Sequence, residues 1–288
     1  MKHENGELTL KLPVPGGDCE EDVIDYLSFG EGDRALIMIP GLGDGMRTME
    51  GLALPFSLSY HRYAKEFRVY SMSRRRNIPE GYTIRDMARD VVLAMDALGI
   101  GTADILGVSQ GGMIAQEVVL NAPERVRRLV LAVTMPRQND TVRDVVGRWI
   151  RMAEEGDLVA VMKDTAERTY TGNHIGVYRE AYGLYGRLND RIPGGVKGTE
   201  RFLREARACL EHDAWDRLPD IKAPTLVLGG TEDRIVTGEA SRELASRIPG
   251  ALLHMFEGYG HGAYEQAADF HDWILDFLTA PEESVKRS

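Results

Sequence analysis

The sequence predicts an α/β fold: a mostly parallel central sheet flanked by helices, interrupted by an all-helical insertion. Three observations predict it. Short apolar runs alternate with helically periodic segments between residues 34 and 133. The strand signal then vanishes from 136 to 216, where the chain is helical in pattern and rich in Arg, Glu and Tyr. Alternation resumes at 225 and continues to a final helix. Strands that alternate with helices pair in parallel and carry helices on both faces. The expected organisation is a body formed by 1–135 and 217–288, with the insertion spanning 136–216.

Taken in order, residues 8–12 and 23–29 read as two antiparallel strands. Residues 34–39 read as a buried strand ended by Pro40-Gly41, and 67–72 as another. From 83 to 98 apolar residues recur at helical spacing, and Gly99 supplies the stop. A short apolar strand, 103–108, leads into a helix at 109–121, with Pro123 just beyond its end. Residues 126–133, 225–228 and 251–256 complete the strands; 263–279 reads as one last helix, and the polar tail is expected to fray. Insertions after a sheet strand commonly roof a site at the carboxyl edge of the sheet.

Composition bounds the function. The chain has 288 residues, 43% of them hydrophobic and 28% charged, enough for a large core without covalent staples. A net charge of −10 argues against nucleic acid as a partner, because phosphates reward clustered Lys and Arg. Cys19 and Cys209 make no disulfide framework and read as free thiols in a reducing compartment. Residues 1–6 carry no apolar signal-peptide core, and no apolar run approaches the ~20 residues needed to span a bilayer. A cytoplasmic protein without membrane partner is expected, and a homo-oligomer is compatible with the sequence.

Gly107-Val108-Ser109-Gln110-Gly111 matches G-x-S-x-G. Alone, the pattern is weak. Here it follows the strand Asp104-Ile105-Leu106 and opens a helix, the strand–turn–helix that the pattern requires. A strand reversing sharply into a helix strains the Ser backbone, and side chains two residues either side would collide, so glycines stand there. The Ser109 hydroxyl is lifted clear of the sheet at a helix N-terminus, where the dipole favours developing negative charge.

A serine nucleophile needs a base oriented by a carboxylate. Of seven histidines, His261 stands out, in the loop Gly258-Tyr259-Gly260-His261-Gly262 between the last strand and the last helix. Asp233 lies in the turn after Leu226-Val227-Leu228-Gly229-Gly230, on the same sheet edge; its neighbour Glu232 is the alternative. The chain order Ser, Asp, His is that of α/β hydrolases. Two backbone N–H groups should hold the oxyanion: that of Gln110 and, from the loop Pro40-Gly41-Leu42-Gly43-Asp44-Gly45, that of Leu42. The same loop fails as a dinucleotide fingerprint, since Met46 stands where the third Gly is needed, and no P-loop occurs. No cofactor or metal is expected.

These residues together resemble the α/β-hydrolase superfamily along nearly the whole chain. Three segments carry the resemblance: 98–126 around Ser109, Leu228-Gly229-Gly230-Thr231-Glu232-Asp233, and Gly260-His261 with Glu265-Gln266 and Phe270 following. The stretch Ser109-Gln110-Gly111-Gly112-Met113-Ile114-Ala115-Gln116 looks like the carboxylesterase and enol-lactonase branch with its helical cap. Pro40 departs from the His that many members carry, and Val108 from the usual His or aromatic. Ser109 argues against the dehalogenases and epoxide hydrolases, whose nucleophile is Asp. The resemblance implies a serine hydrolase of a small carboxylic ester or lactone. An acyltransferase, a carbon–carbon bond hydrolase, a peptidase or a non-catalytic ligand receptor are the alternatives.

Substrate contacts are less defined. Tyr178, Tyr182 and Tyr185 are spaced to share one helix face and either line a pocket or pack the insertion onto the body. Trp149 carries the same two readings. In Arg74-Arg75-Arg76, Arg75 is the candidate to hold a substrate carboxylate, against the simpler reading of a solvated loop.

Overall fold

The computed structural model describes residues 2–173, 175–188 and 198–281. Eight strands form one sheet in the order β1-β2-β4-β3-β5-β6-β7-β8. β1 (His3–Pro13) and β2 (Cys19–Phe29) pair antiparallel, as expected, and both are longer than the sequence suggested. β2 also pairs antiparallel with β4 (Phe67–Arg75), while the pairs among β3 (Arg34–Ile39), β4, β5 (Ala103–Val108), β6 (Val126–Ala132), β7 (Thr225–Gly230) and β8 (Leu252–Phe256) are all parallel. Only β2 therefore runs against the other seven.

Period-two alternation splits the core into two layers. Ile37, Ile39, Ile105, Leu129 and Val227 face α2 (Ile84–Ala97), α3 (Gln110–Asn121) and α8 (Gly238–Arg247). Leu36, Met38, Leu106, Val130 and Leu228 face α1 (Ala53–Ser59) and α10 (Phe270–Thr279). α2 begins where Thr83 accepts from the Asp86 N–H and Asp86 accepts from the Thr83 N–H, a reciprocal cap, and stops before Gly99, whose φ of 68° only glycine adopts cheaply.

Three local expectations change. The last helix is two: α9 (Ala263–Gln266) ends where Ala267 turns extended, at ψ 121°, and α10 starts at Phe270. Ala263 and Ala267 keep helical phase with Phe270, Ile274 and Phe277, so the periodicity reads through a break that the backbone makes. β4 runs on to Arg75, so the arginine run is no solvated loop; buried carboxylates receive Arg74 and Arg75. α1 and α8 were not legible as helices in the sequence.

Between β6 and β7 lie α4 (Asp140–Glu154), α5 (Leu158–Thr169), α6 (Ile175–Leu188) and α7 (Gly198–Glu211). α4 starts on an Asn139 cap that accepts from the Val142 N–H. It packs on α7, while α5 packs on α6. The segment leaves and re-enters the body at one neck, where the backbones of Arg137 and Asp213 form an isolated antiparallel bridge and the Ala214 N–H donates to the Pro136 carbonyl at 2.9 Å. Among the described residues no helix is long and apolar enough to cross a membrane.

Candidate active site

β5 delivers Ser109 to the carboxyl edge of the sheet. Its φ of 56° and ψ of −120° hold a non-glycine residue in strained backbone. The strain is fixed on both sides: the Ser109 N–H donates to the Ala132 carbonyl at 2.9 Å, and Thr134 Oγ1 donates to the Ser109 carbonyl at 2.7 Å. A Cβ on Gly107 would stand 2.3 Å from the Gly111 carbonyl oxygen, and one on Gly111 2.0 Å from that of Ile39. The turn therefore closes only with glycine at both positions.

β7 delivers Asp233 and the loop after β8 delivers His261. Asp233 Oδ2 and His261 Nδ1 lie 2.8 Å apart, with both residues buried. Asp233 Oδ1 accepts the N–H groups of Ile235 at 2.8 Å and Val236 at 3.0 Å. Burial alone would raise the Asp233 carboxyl; the charge and hydrogen bond of His261 and those two N–H groups outweigh it, leaving the group below its ordinary value. Glu232, the alternative, points to solvent. The histidine loop sits against β7 because Gly230 has no side chain: a Cβ there would meet the Gly260 carbonyl oxygen at 2.3 Å. It is also tied to the end of α5, where the Gly262 N–H donates to the Thr169 carbonyl at 2.6 Å.

Ser109, His261, Leu42 and Gln110 line one cavity of about 590 Å³ between the sheet edge and the helical segment. Gly41 faces the serine, since a Cβ there would stand 3.3 Å from Ser109 Cβ. Leu42 opens a single tight turn, Leu42–Gly45, behind it. The remaining wall is chiefly apolar, with Met113, Val146, Phe202 and Val236 among its residues.

The substrate-contact candidates divide. Trp149, Tyr182 and Tyr185 line the cavity; the Trp149 indole N–H also donates to Asp164 at 2.8 Å, joining α4 to α5. Tyr178 does not: it stacks on Tyr170 with ring centroids 3.8 Å apart. Arg75 does not either. Its guanidinium is buried against Asp90, at 2.7 and 2.5 Å, and lies over the Tyr82 ring, so no substrate carboxylate reaches it. Sequence reasoning missed Phe202, and it missed a buried group of charges around Arg74 and Arg201. Apart from Arg201 and Glu205, four residues apart on α7, the partners in this group are remote in the chain, so spacing carried little signal for them.

A strained serine on a strand–turn–helix, facing the same cavity as a histidine held by a carboxylate, belongs to one class of fold. The family model described as alpha/beta hydrolase fold matches residues 34–268, and the chain belongs to this family of enzymes. A 2-hydroxy-6-oxononadienedioate/2-hydroxy-6-oxononatrienedioate hydrolase of Burkholderia vietnamiensis is 32% identical over 203 residues, 66% of this chain and 67% of that protein. The 3-oxoadipate enol-lactonase 2 of Acinetobacter baylyi is 24% identical over 258 residues, covering 88% and 92%. Among solved structures, the enol-lactonase of Burkholderia xenovorans LB400 superposes with a TM-score of 0.74 at 25% identity, covering 90% of this chain and 97% of that one. MGS-M2, an alpha/beta hydrolase enzyme from a deep-sea metagenome library, gives 0.79 at 20% identity, covering 91% and 96%.

Proposed function

We propose that the protein is a serine hydrolase of a small carboxylic ester or lactone, working through an acyl-enzyme. The observation that carries this reading is the strained Ser109 facing one cavity together with the Asp233-held His261. Ser109 Oγ attacks the acyl carbon while His261 Nε2 takes its proton; Asp233 fixes the Nδ1–H tautomer and stabilises the imidazolium. The developing oxyanion lies at the N-terminus of α3, where the N–H groups of Gln110 and Leu42 serve it. The alkoxide leaves with the proton from His261. Water, deprotonated by the same ring, then releases the acid and restores Ser109.

The helical segment acts as a cap over the cavity and sets which acyl groups fit. Its apolar wall favours an uncharged acyl chain. Cleavage of a carbon–carbon bond on the same residues is the second reading, favoured by the 32% identity to the oxononadienedioate hydrolase.

Labelling with a fluorophosphonate tests the nucleophile. Ser109 is expected to take the label, and Ser109→Ala is expected to lose it together with several orders of magnitude in kcat on p-nitrophenyl esters. Wild-type turnover by that variant would overturn the reading. A panel of esters, lactones and vinylogous diketones separates the bond classes.

A further inference from the structure

Behind the cavity wall, which only Asp44 of the group reaches, lies a cluster of charges with almost no access to water. Asp44, Arg74, Arg201 and Glu205 are each 3% exposed or less. Asp44 belongs to the loop after β3, Arg74 to β4, and Arg201 and Glu205 to α7 of the helical segment. Arg74 Nη2 donates to two acceptors, the Pro40 carbonyl and Gln110 Oε1, both at 2.6 Å. One acceptor is the peptide leading into Gly41-Leu42. The other belongs to the residue just after the nucleophile. A single guanidinium therefore bridges the two segments whose N–H groups face the oxyanion.

α7 grips the same assembly. Arg201 donates to Asp44 Oδ2 and to the Arg74 carbonyl, each at 2.8 Å, to the Arg75 carbonyl at 3.0 Å, and to the Asp44 carbonyl. Glu205 lies 3.7 Å from Arg74 Nε and 3.4 Å from Arg201 Nη1. Its backbone carbonyl accepts from Gln110 Nε2 at 2.9 Å. Burying such charges costs desolvation that apolar residues of similar volume avoid, so stability alone is a poor reason for them. What they supply is fixed geometry. Their hydrogen bonds end on the backbone of the Pro40–Gly45 loop, on β4 and on Gln110.

We propose that Arg74 is a positioning residue that holds the two oxyanion donors in register, clamped in turn by Arg201 and Glu205, so that the seat of α7 governs the acyl-transfer rate rather than substrate affinity. This role rests on the serine-hydrolase reading given above.

The test compares Arg74→Met with the double variant Arg74→Met/Glu205→Gln, by steady-state hydrolysis of a p-nitrophenyl ester and by thermal melting. Arg74→Met alone leaves the buried carboxylates of Asp44 and Glu205 to share Arg201 and lowers Tm. The double variant removes cation and anion together and recovers Tm. Its kcat is expected to stay about 10- to 100-fold low with KM within about twofold, as for misaligned donors. A kcat that returns with Tm, or a loss confined to KM, would overturn the role. Gln110→Met offers an uncharged check should the double variant not fold: it keeps the backbone N–H and removes the amide that Arg74 grips. Its kcat should fall several-fold at constant KM, and an unchanged kcat overturns the proposal. Fluorophosphonate labelling of the wild type separates the two levels. An unlabelled Ser109 removes the serine reading and this role with it. A labelled Ser109 with kcat following Tm removes the role of Arg74 alone.

Discussion

At the scale of single residues, Asp233 shows how much work one carboxylate is given. One oxygen accepts two backbone N–H groups and the other faces His261 at 2.8 Å, so the side chain has no freedom to turn. Asp233→Asn keeps the shape but presents a neutral group to the ring, favouring the wrong tautomer. It is expected to lower kcat by on the order of 10⁴ while leaving KM nearly unchanged, measurable with any ester the wild type turns over. Asp233 was legible from the sequence because it lies in the turn after a strand, three residues past a pair of glycines. Arg75 was misread for the opposite reason. Nothing near it in the chain announces Asp90, which comes from the second turn of α2 and neutralises it in the interior.

At the scale of elements, the turn at Ser109 depends on close backbone approaches as well as on hydrogen bonds. A Cβ on Gly111 would meet two carbonyl oxygens, those of Ile39 at 2.0 Å and Pro40 at 2.7 Å. These are backbone atoms at the end of the central strand β3 and just beyond it, which cannot swing aside as a flexible side chain can. Gly111→Ala is therefore expected to destabilise the fold by about 3 kcal/mol or more, read from denaturant unfolding, and to displace Ser109 with it. The motif was visible because sterics write themselves into the sequence as glycines. Other elements left fainter traces. α8 buries only Ala240, Ser241 and Leu244 of its ten residues, too thin an apolar stripe to read. The break between α9 and α10 keeps the apolar phase on both sides, so periodicity alone could not locate it.

At the scale of the whole molecule, the mostly parallel sheet and the site's place on its carboxyl edge followed from alternation, while the strand order and the roof's attachment did not, because they are made of contacts between segments far apart in the chain. One such contact region sets an acid limit. His212, just after α7, is buried, and burial lowers its imidazole to about 3 from an ordinary 6.5. The unfolded chain then takes up a proton that the native state refuses. Stability is full above about pH 6.5 and declines as the pH falls, by about 2 kcal/mol at pH 5 from this residue. His271, lowered to about 4 chiefly by burial, acts with the same sign. The melting temperature of the wild type should fall more steeply between pH 7 and 5 than that of His212→Gln. Parallel slopes would show that the ring is not held neutral.

The neck at Arg137 and Asp213 gives the roof one entrance and one exit, side by side in a single antiparallel backbone bridge. A segment tied in at one place is the kind a fold tolerates exchanging without touching its sheet, and a replacement of another shape would change the cavity's wall. Arg201 limits that freedom. An incoming roof without such a cation leaves the buried Asp44 with Arg74 alone, whose guanidinium stands 3.9 Å away and whose backbone N–H donates to it at 3.0 Å. The portable part is thus keyed to its socket, and new specificities are most accessible to roofs that carry the key.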